Sequence, residues 1–110
     1  MDLGDFVGAD SIFEEARGRL ERNPDRGAFY FLQVLGLIRG FNTNQSYDKA
    51  LATGREALRH ADQVEGQDRI NVAYVYNAIG VTYRKMGAFY DAIDMINKSM
   101  EIKKSLFHQN

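Results

Sequence analysis

Cysteine is absent from the 110 residues of this chain, which excludes disulfides and thiolate metal sites alike. Proline occurs once, at Pro24, and such scarcity favours helices over a loop-rich β fold. An excess of one charge is missing too. The 14 basic and 15 acidic residues leave a net charge of −1, so composition supplies no long-range attraction to nucleic acid or to an anionic membrane surface. The longest apolar run, around "AFYFLQVLGLI", falls well short of the roughly 20 residues of a membrane span. The opening "MDLGDFVGAD" is acidic and lacks the basic start and apolar stretch of a secretory signal, so a cytoplasmic location is the expectation. No HExxH, GxSxG or glycine-rich phosphate loop occurs. These absences predict a protein without enzymatic activity, cofactor or metal.

What is present points to helices. Hydrophobic residues make up 45% of the chain, ordinary for a folded protein, and the length suits one small domain. "SIFE" at Ser11 has the capping-box spacing, and Phe13, Ala16 and Leu20 follow as an apolar stripe that Asn23-Pro24 should end. Ala28–Phe41 is rich in aromatic and branched residues. Its length favours a buried helix over a strand. Tyr47, Ala50, Leu51, Gly54, Leu58 and Ala61 fall at helical spacing, with Ser46 or Asn44 available as the cap. After the polar loop "DQVEGQD", Tyr76, Ile79, Gly80, Tyr83 and Met86 form another helix face, which Gly87 closes. A last helix carries Phe89, Ala92, Ile93, Ile96, Met100, Lys103 and Phe107.

The chain also repeats itself. "YDKALATGREAL" from Tyr47 and "FYDAIDMINKSM" from Phe89 each place an alanine three residues in and a branched apolar residue next, at a shift of about 42 residues. Tyr76-x₂-Ile79-Gly80-x₂-Tyr83, then Ala92-x₃-Ile96, is similar to the tetratricopeptide repeat pattern W-x₂-L-G-x₂-Y…A-x₃-F…P, with Lys104 near the missing proline. The match covers about one repeat, roughly residues 73–106. In the preceding unit either Leu37-Ile38 with Phe41, or Leu35-Gly36 with an inserted loop, takes the place of the Leu-Gly pair.

This resemblance implies an all-α fold, antiparallel helical hairpins stacked as an α-solenoid of about five helices. The expected organisation is a flexible leader (1–9), an N-terminal helix (10–24), a divergent hairpin (25–66) and a well-matched hairpin (67–110). Gly80 and Ala92 should be the small pair at a close helix crossing, with Tyr76, Ile79, Tyr83, Phe89 and Ile96 packing around it. The resemblance further implies a protein or peptide partner held in a concave groove. Tyr74, Asn77, Val81 and Arg84 follow a stripe apart from the packing set, and Asn77 is the choice for binding an extended backbone because its amide donates and accepts. The Lys/Asn/Arg carboxylate clamp of some family members is not reproduced around Arg84 and Lys85.

The remaining polar clusters read as surface. His60 and His108 stand far apart with no ligand pattern, and Arg17, Arg19, Arg22 and Arg26 alternate with acids as a salt-bridged face. Met95, Ser99, Ile102 and Leu106 form a second stripe on the last helix, read as an open end. Two expectations follow: an excised piece of a longer array, like the sensory N-terminal regions of bacterial signalling proteins, or a homodimer through this helix.

Overall fold

A computed structural model describes residues 3–22 and 27–107, with side chains from Ser11 onward, Ala28 excepted. It contains five α-helices, and no strand occurs among the described residues: α1 (Leu3–Arg22), α2 (Ala28–Thr43), α3 (Tyr47–Leu58), α4 (Ile70–Met86) and α5 (Phe89–Phe107). Two short 3₁₀ turns, Ala61–Gln63 and Gly66–Arg69, join α3 to α4. The fold is all-α, with each helix packed on its neighbours. Helix α1 begins at Leu3 rather than near residue 10, so Ser11 lies inside it and is not its cap. The spacing of Leu3, Phe6 and Val7 carries the helical period back through the stretch read as a leader. The expected end at Asn23-Pro24 lies outside the described residues, as do Arg26 and His108.

Helix α2 supplies most of the core. Phe31, Val34, Ile38 and Phe41 are spaced three and four residues apart and are all essentially buried. They meet Ala50, Leu51 and Ala57 of α3 and Val72, Val75 and Ile79 of α4. The other side of α2 is open, with Phe29 and Leu32 exposed.

The two hairpin turns repeat bond for bond at 42 residues. Ser46 N–H donates to the Phe41 carbonyl at 2.8 Å, and Ala88 N–H to that of Tyr83 at 2.9 Å. Gln45 N–H reaches Asn42 O, as Gly87 N–H reaches Arg84 O, both at 3.0 Å. Gln45 and Gly87 both take positive φ, 61° and 82°, the left-handed conformation that lets a helix end tuck its last N–H groups back. The alignment of the first unit is thereby settled. Leu37-Ile38 correspond to Ile79-Gly80, and Phe41 corresponds to Tyr83. Gly36 faces open space and is not the packing glycine.

Three other glycines receive a side chain from a neighbouring helix. A Cβ on Gly40 would lie 2.5 Å from the Phe13 ring, one on Gly54 2.6 Å from Ile79 Cγ1, and one on Gly80 2.9 Å from Ile96 Cγ1. The Phe13 ring also stands edge-on to Phe41, 5.4 Å between centroids. Helix axes approach closely where a missing side chain leaves room for a bulky one. Gly80 and Ala92 are both buried at such a crossing, with the Ala92 carbonyl oxygen 3.2 Å from the would-be Cβ.

Helix α5 corrects two expectations. Ser99 and Leu106 are buried, and Met95 and Ile102 pack on the core, so this stripe faces inward and is no open end. The row left outside is Phe89, Ile93, Met100 and Phe107, each more than half exposed. Phe89 therefore does not flank the Gly80–Ala92 crossing. The inward row owes its place to its small residues: Ala92 and Ser99 let α4 approach, which the bulkier row does not. Tyr76 and Tyr83 are half-buried beside the core, and Arg55 of α3 donates to the Tyr83 hydroxyl at 2.9 Å.

Candidate functional site: a groove between the first helices of two hairpins

Helices α2 and α4 lie against each other, each the first helix of its hairpin, and a groove of about 390 Å³ runs between them. Leu35, Ile38, Arg39, Asn42 and Thr43 form the α2 wall, and Tyr74, Asn77, Ala78, Val81 and Lys85 the α4 wall. Of the stripe expected from sequence, Tyr74, Asn77 and Val81 line this groove, whereas Arg84 does not and its neighbour Lys85 does. The helical period explains the substitution. Steps of about 3.6 residues from Tyr74 arrive nearest 77 or 78, 81 and 85.

The α2 wall escaped sequence reading because the first unit had two possible alignments. The signal was nonetheless there: Leu35, Arg39 and Asn42 stand 42 residues before Asn77, Val81 and Arg84. One polar bond joins the walls. The Thr82 hydroxyl, fully buried, donates to Asn42 Oδ1 at 3.0 Å, with the Ala78 carbonyl also within reach at 3.2 Å. A buried bond of this kind holds α2 and α4 in one register, since breaking it would strand a polar atom away from water.

Along its length the groove changes character. Tyr74, 44% exposed, stands toward the N-terminal ends of the two helices, with the Lys103 ammonium 5.7 Å from its ring centroid. Asn77 is exposed on the α4 wall, so its amide is accessible to a ligand. Leu35, Ala78 and Val81 are half-buried and Ile38 buried, giving an apolar middle. Arg39 and Lys85, both exposed, occupy the C-terminal end.

Elsewhere the polar clusters have structural partners. Arg17 pairs with Glu14 and Glu21, and Arg19 with Glu15. His60 departs from the expected solvated surface residue. It is half-buried at the end of α3, edge-on to Tyr30, with Nε2 4.0 Å from Glu56 Oε1. Among the described residues no group of three His, Cys, Asp or Glu is placed to hold a metal, and no helix is long and apolar enough to cross a membrane.

A family model described as Tetratricopeptide repeat matches residues 30–105, the span from α2 to nearly the end of α5. No curated protein and no solved structure matches the chain significantly.

Proposed function

Because the chain belongs to the tetratricopeptide repeat family, whose repeats serve protein–protein interaction, we propose that it holds an extended peptide segment of a partner in the groove between α2 and α4. The observation that carries this reading is the convergence of an exposed amide at Asn77 with an apolar floor at Leu35, Ala78 and Val81. An extended backbone needs a donor and an acceptor for its own polar groups, and Asn77 offers both. We extend the proposal to a regulatory role in a larger protein, as in the bacterial signalling proteins whose sensory regions such repeats resemble. That resemblance is its support.

The test uses peptides selected from a displayed random library on the immobilised chain. Asn77→Ala should weaken groove-bound peptides several-fold, the worth of one or two hydrogen bonds, with no change in the thermal transition. Unchanged affinity for every selected peptide would remove Asn77 from the site. An equal loss of stability would make it a structural residue.

One observation favours a second reading, self-association through α5. The exposed row Phe89, Ile93 and Met100 corresponds at 42 residues to Tyr47, Leu51 and Leu58 of α3. On α3 this row is covered, with Leu51 buried in the core beside α4, although Gly54 there has Ile96 as its equivalent on α5. The equivalent row of α5 is apolar and more than half exposed, and a second copy of the chain would supply a helix to cover it. Sedimentation over a concentration series checks it, and a monomer throughout would sink it.

A further inference from the structure

The balanced charge of the whole chain hides a segregation by helix. Helix α2 has one charged residue, Arg39, and α4 has two, Arg84 and Lys85; neither helix holds an acid. Among the described residues the acids lie on the other helices and the α3–α4 connection, where several are paired with bases. Arg39 and Lys85 make no ion pair with any described residue, although both line the same groove. Part of this has a purely structural account, because Arg84 and Lys85 sit in the last turn of α4 and complement its dipole. Arg39 has no such account, since it precedes the last turn of α2, which contains no basic residue.

We propose that the groove is selective for an acidic segment, whose carboxylates meet Arg39 and Lys85 while its apolar side chains cover Leu35 and Val81. The proposal rests on the groove being the binding site and adds the chemistry of the occupant. Two cations with no ion-pair partner among the described residues, at one end of a trough with an apolar middle, complement a carboxylate next to a hydrophobic side chain. A guanidinium grips a carboxylate with two parallel hydrogen bonds, and partial desolvation in the groove strengthens the attraction. A phosphate backbone is less well matched, because a strand of nucleic acid needs a longer basic track than these two residues.

The experiment sequences groove-dependent peptides from the displayed library. They are defined as those retained by the wild-type chain and lost by Asn77→Trp, which obstructs the groove from an exposed position without changing its charge. Enrichment of Asp and Glu among them is expected. The double variant Arg39→Glu/Lys85→Glu should bind these peptides at least about tenfold more weakly and should select Lys- and Arg-rich peptides instead. Both positions are exposed, and circular dichroism and the thermal transition verify that the variant folds. Groove-dependent peptides without acidic enrichment would overturn the acidic occupant and leave the groove reading intact. If no peptide is sensitive to Asn77→Trp, the groove reading falls and this inference with it. Binding of a labelled single-stranded oligodeoxynucleotide more tightly than any selected peptide, abolished by the double variant, would overturn it in favour of nucleic acid.

Discussion

An alanine at Gly80 would place its Cβ 2.9 Å from Ile96 Cγ1 and 3.2 Å from the Ala92 carbonyl oxygen. Neither neighbour yields easily, since one is a branched side chain held at a crossing and the other is helix backbone. Gly80→Ala should therefore lower stability by about 1–3 kcal/mol in urea unfolding, the usual range for overpacking. Gly36→Ala is the control. Nothing lies within 4 Å of its would-be Cβ, so the helix propensity of alanine should act alone and raise stability by up to about 1 kcal/mol. A loss at Gly36 as large as at Gly80 would mean that close approach at Gly80 is not what sets the cost. Ser99 offers the opposite opportunity: its hydroxyl is buried at the α4–α5 contact with no hydrogen-bond partner among the described residues. Ser99→Ala should stabilise by about 1 kcal/mol, because it removes an unsatisfied polar atom while keeping the residue small. Destabilisation in the same melt would show that the hydroxyl has a partner.

At the scale of the element, α5 shows what periodicity can and cannot tell. Its residues carry two rows at helical spacing, Met95–Ser99–Ile102–Leu106 and Phe89–Ala92–Ile93–Ile96–Met100–Lys103–Phe107. Hydrophobicity favours the second row as the inward one, and that was the reading from sequence. The structure turns the first inward and, of the second, buries Ala92 and seats Ile96 against Gly80 while Phe89, Ile93, Met100 and Phe107 stay outside. The reason is that small residues set how closely two helices can lie, and Gly80 of α4 calls for a close neighbour. The consequence is a pair of opposed expectations. Leu106→Glu should unfold the chain, since it puts a charge into a buried site without a partner. Ile93→Glu/Met100→Glu, on the exposed row, should preserve helicity by circular dichroism and abolish any concentration-dependent association in sedimentation. If the double variant unfolds, the assignment of the two rows is reversed.

Over the whole molecule, the groove joins residues from two hairpins, and its variants are expected to part from the others in kind. Asn77→Ala and Arg39→Glu/Lys85→Glu alter exposed side chains and should shift peptide binding. The first should leave the thermal transition unmoved, and the second should lower stability only by the lost dipole contact of Lys85, up to about 1 kcal/mol. Gly80→Ala and Ser99→Ala should do the reverse. The helices, the left-handed residue at Gly87, the packing role of Gly80 and three of the four expected groove positions were all legible in the chain. Each depends on neighbours within a few turns, where spacing and residue type constrain the backbone directly. Asn42, Arg39 and Lys85 were not legible as a site, nor was the inward row of α5. Those depend on which helix lies opposite and how close it comes, a balance of packing between segments about 40 residues apart. Net charge misled for the same reason, because a sum of −1 does not register that the two helices bordering one groove carry only positive charge. Local pattern therefore decided that this chain is a stack of helical hairpins. Only the packing of those hairpins decided which surface remains open and what charge it presents.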